Sequence, residues 1–353
     1  MLAKTGVRAK AMRPSFPSLT YPNHYTLVTG LVPDHHGVVD NVMWDAGIGQ
    51  KFTMTAPTAW DPRWWNQARP LWVTAAEHGV TTAALGWPGS EMHVAGHLPN
   101  YVMPWQDKRS ADDAVATALN WQDLPEKLRP QITFLYFYEV DHQGHEHGPD
   151  SAEANAALRG VDAALAHLVE GLKARHRYDG TNIVVVSDHG MTAMPAGQVT
   201  VLDQLVPPGE GIVRTPGSGG AVDPLPGHEE AVAKILLAPH DHFTCWRKAD
   251  IPPALHYGAN ARVPAFYCLN QPGWRFILAA DRAKTQNPGA HGFDPALPDM
   301  QALFVAHGPA FRAGVTLPAI DNVDVYPMLA KITGLPPERN DGDPAVLLPA
   351  LSP

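Results

Sequence analysis

The sequence predicts an α/β fold in which a mostly parallel sheet is sandwiched by helices. Two short apolar runs, Gln131 to Val140 and Asn182 to Ser187, read as buried strands. Between them Leu158, Val161, Leu165, Leu168 and Leu172 recur at spacings of three and four, the apolar stripe of a crossover helix that starts after Ser151. Hydrophobic residues make up 45% and charged residues 17% of the 353 positions, so the chain can bury a sizeable core and is not disordered.

In chain order, Leu2 to Gly6 reads as the last turn of a helix closed by a glycine. A Pro- and Ser-containing loop, Arg13 to Pro22, leads into Asn23 to Thr29, which starts a helix directly after the turn and puts Thr20 near its N-terminus. Thr81 to Trp87 is β-rich, and Gln131 to Val140 is apolar on both faces, as a strand covered from both sides must be. The helix after Ser151 ends in a polar Arg-Tyr-Asp-Gly turn before Asn182 to Ser187, so strand, helix and strand form a unit with parallel pairing. Asp188 and His189 then stand at the C-terminal end of a strand, where open α/β sheets hold ligands, and Asp141 takes the equivalent place after the preceding strand. Residues 195–288 are Pro-rich, with aromatic and β-like runs at Val263 to Leu269 and Trp274 to Ala279, and read as a subregion inserted into a single domain spanning 1–353. Ala302 to Ala306 returns to strand and Asn322 to Thr333 to helix.

Composition excludes several functions. Lys and Arg number 26 against 35 Asp and Glu, a net charge of −9 without basic blocks, which argues against a nucleic-acid groove read by charge. An anionic substrate therefore needs a local positive field, which bound metal supplies. The apolar runs are too short for a membrane span, and Met1 to Arg8 carries no export signal. The only two cysteines, Cys245 and Cys268, exclude a cysteine-based zinc module and leave either one disulfide or two buried thiols.

Asp141 and His145 are four apart, a spacing that turns both side chains toward one ion if the backbone is helical; the alternative is a capping Asp141 with an exposed His145. Ser187-Asp188-His189-Gly190-Met191 sets a carboxylate beside an imidazole after a buried strand, and metal coordination removes the cost of burying that charge alone. His291, in the Gly-flanked run His291-Gly292-Phe293-Asp294, reads equally as a third histidine ligand or as part of a surface loop.

Pro14-Ser-Phe-Pro-Ser-Leu-Thr20-Tyr-Pro-Asn23-His-Tyr-Thr26, Asp141 with His145, the Ser187 to Met191 run and His291-Gly292 occur in the order of a known family. Together with Pro33 to Gly37, Trp87-Pro-Gly-Ser90, Cys245-Trp-Arg-Lys248 and Asp321 to Tyr326, they make almost the whole chain resemble the nucleotide pyrophosphatase/phosphodiesterases of the alkaline phosphatase superfamily, its compact bacterial members above all. The resemblance implies an alkaline-phosphatase-like fold and two zinc ions, one held by Asp141, His145 and His291 and the other by Thr20, Asp188 and His189. It makes Thr20 the nucleophile and Asn23 a donor to a non-bridging phosphoryl oxygen. It places the base of a nucleotide or other small phosphodiester against Tyr21, with Trp105 as stacking partner, Tyr101 as its alternative and Tyr136 as a further pocket residue. Trp105 and Tyr136 read equally as core or lid aromatics. The resemblance also implies a Cys245–Cys268 disulfide and a periplasmic or secreted protein.

One departure stands out. Relatives begin with a buried strand ending in an aspartate that serves the second zinc, whereas the first acidic residue here, Asp34, follows the Thr20 motif. The second site is therefore expected to be one carboxylate short, and the missing strand, interior to the sheet, to leave unpaired backbone groups on both neighbours. An N-terminally incomplete enzyme is the reading that follows. The implied reaction is hydrolysis of phosphodiester or pyrophosphate bonds to nucleoside 5′-monophosphates through a covalent Thr20 intermediate. A sulfatase is excluded because Thr20 cannot mature to an aldehyde. Another phosphodiester or phosphonate hydrolase of the superfamily, or a non-catalytic relic with one metal or none, is the alternative.

Overall fold

The computed structural model describes residues 2–54, 56–106 and 109–353, so Met1, Thr55 and the Asp107-Lys108 end of the Trp105 motif lie outside the described residues. The strands that carry the site are β1 (Val7–Ala9), β2 (Thr82–Leu85), β3 (Tyr101–Met103), β4 (Ile132–Leu135), β5 (Ile183–Val186), β6 (Phe304–His307) and β7 (Val315–Leu317). The helices around them are α1 (Thr20–Thr29), α2 (Ala111–Gln122), α3 (Glu139–His147), α4 (Ala152–Ala174) and α5 (Val325–Thr333).

Local chemistry sets these boundaries. Leu19 is extended and α1 starts at Thr20, three residues earlier than expected, closing on Gly30 at φ 67°. Ser110 and Asp113 form a capping box on α2, and the Ser151 hydroxyl accepts from the Ala154 N–H to start α4. The apolar stripe of α4 begins later than its periodicity indicates: Leu158 is 55% exposed, because the first turns bury Ala154 instead.

The strands form two sheets, ordered β3-β2-β4 and β5-β6-β1-β7. All pairs are parallel except those of β6, which runs antiparallel to both β1 and β5. The expected parallel pairing of β4 with β5 is not made. Among the described residues each pairs on one edge only, and the two other edges border a cavity of about 810 Å³. Leu168 and Leu172 of α4 line it on one side, with Leu27 and Val28 of α1 and Val325 and Leu329 of α5 on the other. The difference shows in burial: β2 is buried throughout, whereas three of the four residues in each of β4 and β5 are only partly buried.

Within 195–288, Gly211–Thr215, Gly219–Pro224, Phe266–Asn270 and Phe243–Arg247 make an antiparallel sheet in that order, over an apolar cluster that includes Leu202, Val232 and Phe276. Cys245 and Cys268 face each other across this sheet and are joined by a disulfide. Tyr257 and Tyr267 pack edge-on against Phe16, so the segment buttresses the loop that leads into Thr20. Among the described residues no helix is long and apolar enough to cross a membrane.

Candidate active site

Thr20 is the first residue of α1, and its Oγ1 lies 3.3 Å from His189 Nε2. The loop before it is held by Asn23. This fully buried amide accepts at Oδ1 from the Ser15 N–H and from Asn322 Nδ2, both at 2.8 Å, and Nδ2 donates to the carbonyls of Pro17 (2.9 Å) and Leu19 (2.8 Å). The two acceptors fix which end is oxygen, and both N–H groups are spent on backbone. Asn23 is therefore a brace for the loop that leads into Thr20 and has no donor left for a phosphoryl oxygen, which corrects the role inferred from the motif. A different amide is available. Asn41 accepts the Tyr21 N–H at 2.9 Å through Oδ1, and its Nδ2 makes no hydrogen bond among the described residues. Sequence reading missed it because nothing local links it to a threonine 21 residues earlier.

Asp141 stands in the first turn of α3 and not at the end of β4, since the strand stops at Leu135. The helix does what the spacing required: Asp141 Oδ1 lies 3.5 Å from His145 Nε2 and 3.6 Å from His291 Nε2. Oδ1 is buried and has no hydrogen-bond partner. Ligand atoms of Asp141, His189 and His291 all fall within 4.8 Å of one another.

The histidines share one arrangement. Nδ1 of His145, His189 and His291 lies 2.9 Å from the carbonyl of Gly289, Gly190 and Ser18 respectively. A carbonyl only accepts, so each Nδ1 carries a proton, and Nε2 is the nitrogen that each ring would offer to a metal once it gives up any proton of its own. Close backbone contact makes the first of these bonds: a Cβ on Gly289 would come 2.0 Å from the Gly144 carbonyl, so only glycine lets α3 approach this strand. A buried carboxylate oxygen without a partner, facing imidazoles tied through Nδ1, fits a metal site.

Asp188 and His189 follow β5 directly, and their side chains are 3.0 Å apart. Burial opposes charge on Asp188, but His189 and His24 hold its carboxyl well below the usual carboxylate range. Burial likewise disfavours the His189 imidazolium, yet the charge of Asp188, helped by Asp141, prevails and pushes it up to about 9. Burial first, then repulsion from His189 and His145, drives His291 well below its ordinary value, as its stacking on His189 at 3.6 Å demands.

The aromatic candidates separate into three groups. Tyr21 packs its ring on Phe52 and Trp65, and Tyr136 lies edge-on to His24 at 4.7 Å, beside Asp188. Trp105 is 45% exposed and sits further out, edge-on to Tyr138, with its backbone N–H given to Glu91, a carboxylate near Tyr21. Tyr101 is elsewhere: its hydroxyl donates to the Leu128 carbonyl beside Trp121, so it cannot replace Trp105.

Residues 1–294 match the type I phosphodiesterase / nucleotide pyrophosphatase family. The chain belongs to this family. Its phosphodiesterase relatives include ectonucleotide pyrophosphatase/phosphodiesterase family member 5 of Homo sapiens, 32% identical over 95% of this chain and 70% of that protein. Family member 1 of Mus musculus is 32% identical over 97% of this chain but only 38% of its own length, so the chain spans well under half of that relative. Among solved phosphodiesterase structures, murine family member 5 superposes with a TM-score of 0.94 at 32% identity, covering 99% of this chain and 93% of that one. An inactive threonine-to-alanine form of the same murine protein in complex with AMP gives the same TM-score at 31% identity.

Proposed function

We propose that this protein hydrolyses phosphodiester or pyrophosphate bonds of nucleotides and releases nucleoside 5′-monophosphates. The observation that carries the reading is Thr20 Oγ1, at a helix N-terminus, 3.3 Å from His189 Nε2 inside a cluster of imidazoles tied through Nδ1 to carbonyls. Asp141, His145 and His291 would hold one zinc ion, and Thr20, Asp188 and His189 a second. When bound, the pair lowers the energy of the Thr20 alkoxide and of the leaving oxygen.

The chain's own residues then do the following. Thr20 Oγ1 bonds to phosphorus as the bond to the leaving oxygen breaks, and water later cleaves the Thr20 ester to free the monophosphate. Asn41 Nδ2 donates to a non-bridging oxygen, the part that Asn23 cannot play. Tyr21 and Tyr136 border the base, with Trp105 at the outer rim. The AMP complex of the murine relative, whose inactive form lacks a threonine, supports both the substrate class and the nucleophile. The Cys245–Cys268 disulfide supports work in an oxidising compartment, the periplasm or the cell exterior.

The test is zinc-dependent hydrolysis of the p-nitrophenyl ester of thymidine 5′-monophosphate. Thr20→Ala is expected to lower kcat by at least about 10⁴-fold while zinc stays bound. Undiminished turnover in Thr20→Ala would remove Thr20 from the chemistry, and a zinc-loaded wild-type chain inert toward the ester would remove the nucleotide reading.

A further inference from the structure

Resting on the metal reading above, we propose that His24 is a positioning residue, which registers the Asp188 carboxylate against the Thr20 peptide and so sets the affinity of the ion held by Thr20, Asp188 and His189. His24 lies one turn after Thr20 on α1 and is only 4% exposed. Its Nδ1 is 2.9 Å from the Thr20 carbonyl and 3.3 Å from Asp188 Oδ2. Both neighbours accept, so Nδ1 carries the ring proton, which it donates to the Thr20 carbonyl while the Asp188 carboxylate stands at ion-pair distance from the same nitrogen.

The ring cannot turn away from this task. Trp87 meets it edge-on at 5.0 Å and Tyr136 at 4.7 Å, wedging it in one orientation. Asp188 Oδ2 thereby faces both His24 Nδ1 at 3.3 Å and His189 Nε2 at 3.0 Å. His24 differs from His145, His189 and His291 in that its Nδ1 also faces a carboxylate and its ring contacts are Trp87 and Tyr136, with no other histidine among them. It orients a ligand and is not one. Residues that orient ligands in this way are worth about 10- to 100-fold in metal affinity.

The test measures the affinities of the two zinc ions by competition with a chromophoric chelator, in the wild-type chain and in His24→Phe, His24→Leu and His24→Asn. Phe and Leu keep the apolar contacts and lose the donor, whereas the Asn amide presents an N–H close to the place of Nδ1–H. The expected result is that His24→Phe and His24→Leu weaken one ion about 10- to 100-fold and leave the other unchanged, with His24→Asn restoring most of the loss. Melting of the zinc-free proteins identifies any variant that fails to fold, and the remaining variants decide. Two tightly held ions in His24→Phe or His24→Leu, equal weakening of both ions, or an Asn variant as weak as Phe would overturn this proposal alone. A wild-type chain that binds no zinc would overturn the metal reading and this proposal with it.

Discussion

At the carboxyl ends of β4 and β5 the polar groups are tied down: three imidazoles donate through Nδ1 to carbonyls, and Asn23 uses every donor and acceptor it has. A few residues back along the same two strands, the facing edges border a cavity of about 810 Å³, with no strand between them among the described residues. The histidines of the site are held by loops and helices that hydrogen-bond to one another beyond the strand ends. Ser18 shows how: its carbonyl takes His291 Nδ1 and its hydroxyl donates to the Phe293 carbonyl, locking two loops together above the gap.

The largest effect expected from this contrast is in backbone opening. Amides of β4 and β5 that face the cavity should exchange with deuterium about a hundredfold faster than those of the buried β2, as edge groups do. Equal protection of β2, β4 and β5 would break the contrast. Next come the two asparagines. Asn23→Ala leaves two buried donors, the Ser15 N–H and Asn322 Nδ2, without their acceptor and should cost about 3 kcal/mol in chemical unfolding. Asn41→Ala removes one half-exposed bond, so its melting temperature should hardly move while kcat falls about 10²-fold. A stable but inactive Asn23→Ala would return the phosphoryl role to Asn23.

The smallest effect concerns pH in the zinc-free protein. His189, raised to about 9, adds stability that is fully present below its unfolded value of about 6.5 and lost as pH rises through 9. His291, held well below its ordinary value, lowers stability wherever the unfolded chain takes up a proton that the folded one refuses, a penalty removed as pH rises through about 6.5. Thermal melts should therefore peak near pH 6.5 and decline on both sides. A midpoint that climbs steadily to pH 9 would show that Asp188 does not charge His189.

Much of the candidate site is legible in the sequence because its Asp and His residues come in adjacent or helically spaced sets. Asp188 with His189 needs only a strand before it, and Asp141 with His145 needs only a helical turn, which α3 provides even though β4 ends earlier than its apolar run. His291 is ambiguous from sequence, since a histidine in a Gly-flanked loop reaches the cluster only where Ser18 and Ser218 anchor that loop. Leu158 was misjudged because periodicity gives the face of a helix without saying how far its partner extends.

What the sequence determined by itself is local: the caps and periods of the helices, Thr20 near the start of α1, and the pairs Asp141 with His145 and Asp188 with His189, all of which depend on neighbours within one or two turns. Tertiary structure alone decided which asparagine is spent and which is free, where Trp105 and Tyr101 lie, and that β4 and β5 stand apart. Those outcomes rest on hydrogen bonds and packing between distant segments, such as Asn322 to Asn23 and His291 to Ser18, whose existence no short stretch of sequence encodes.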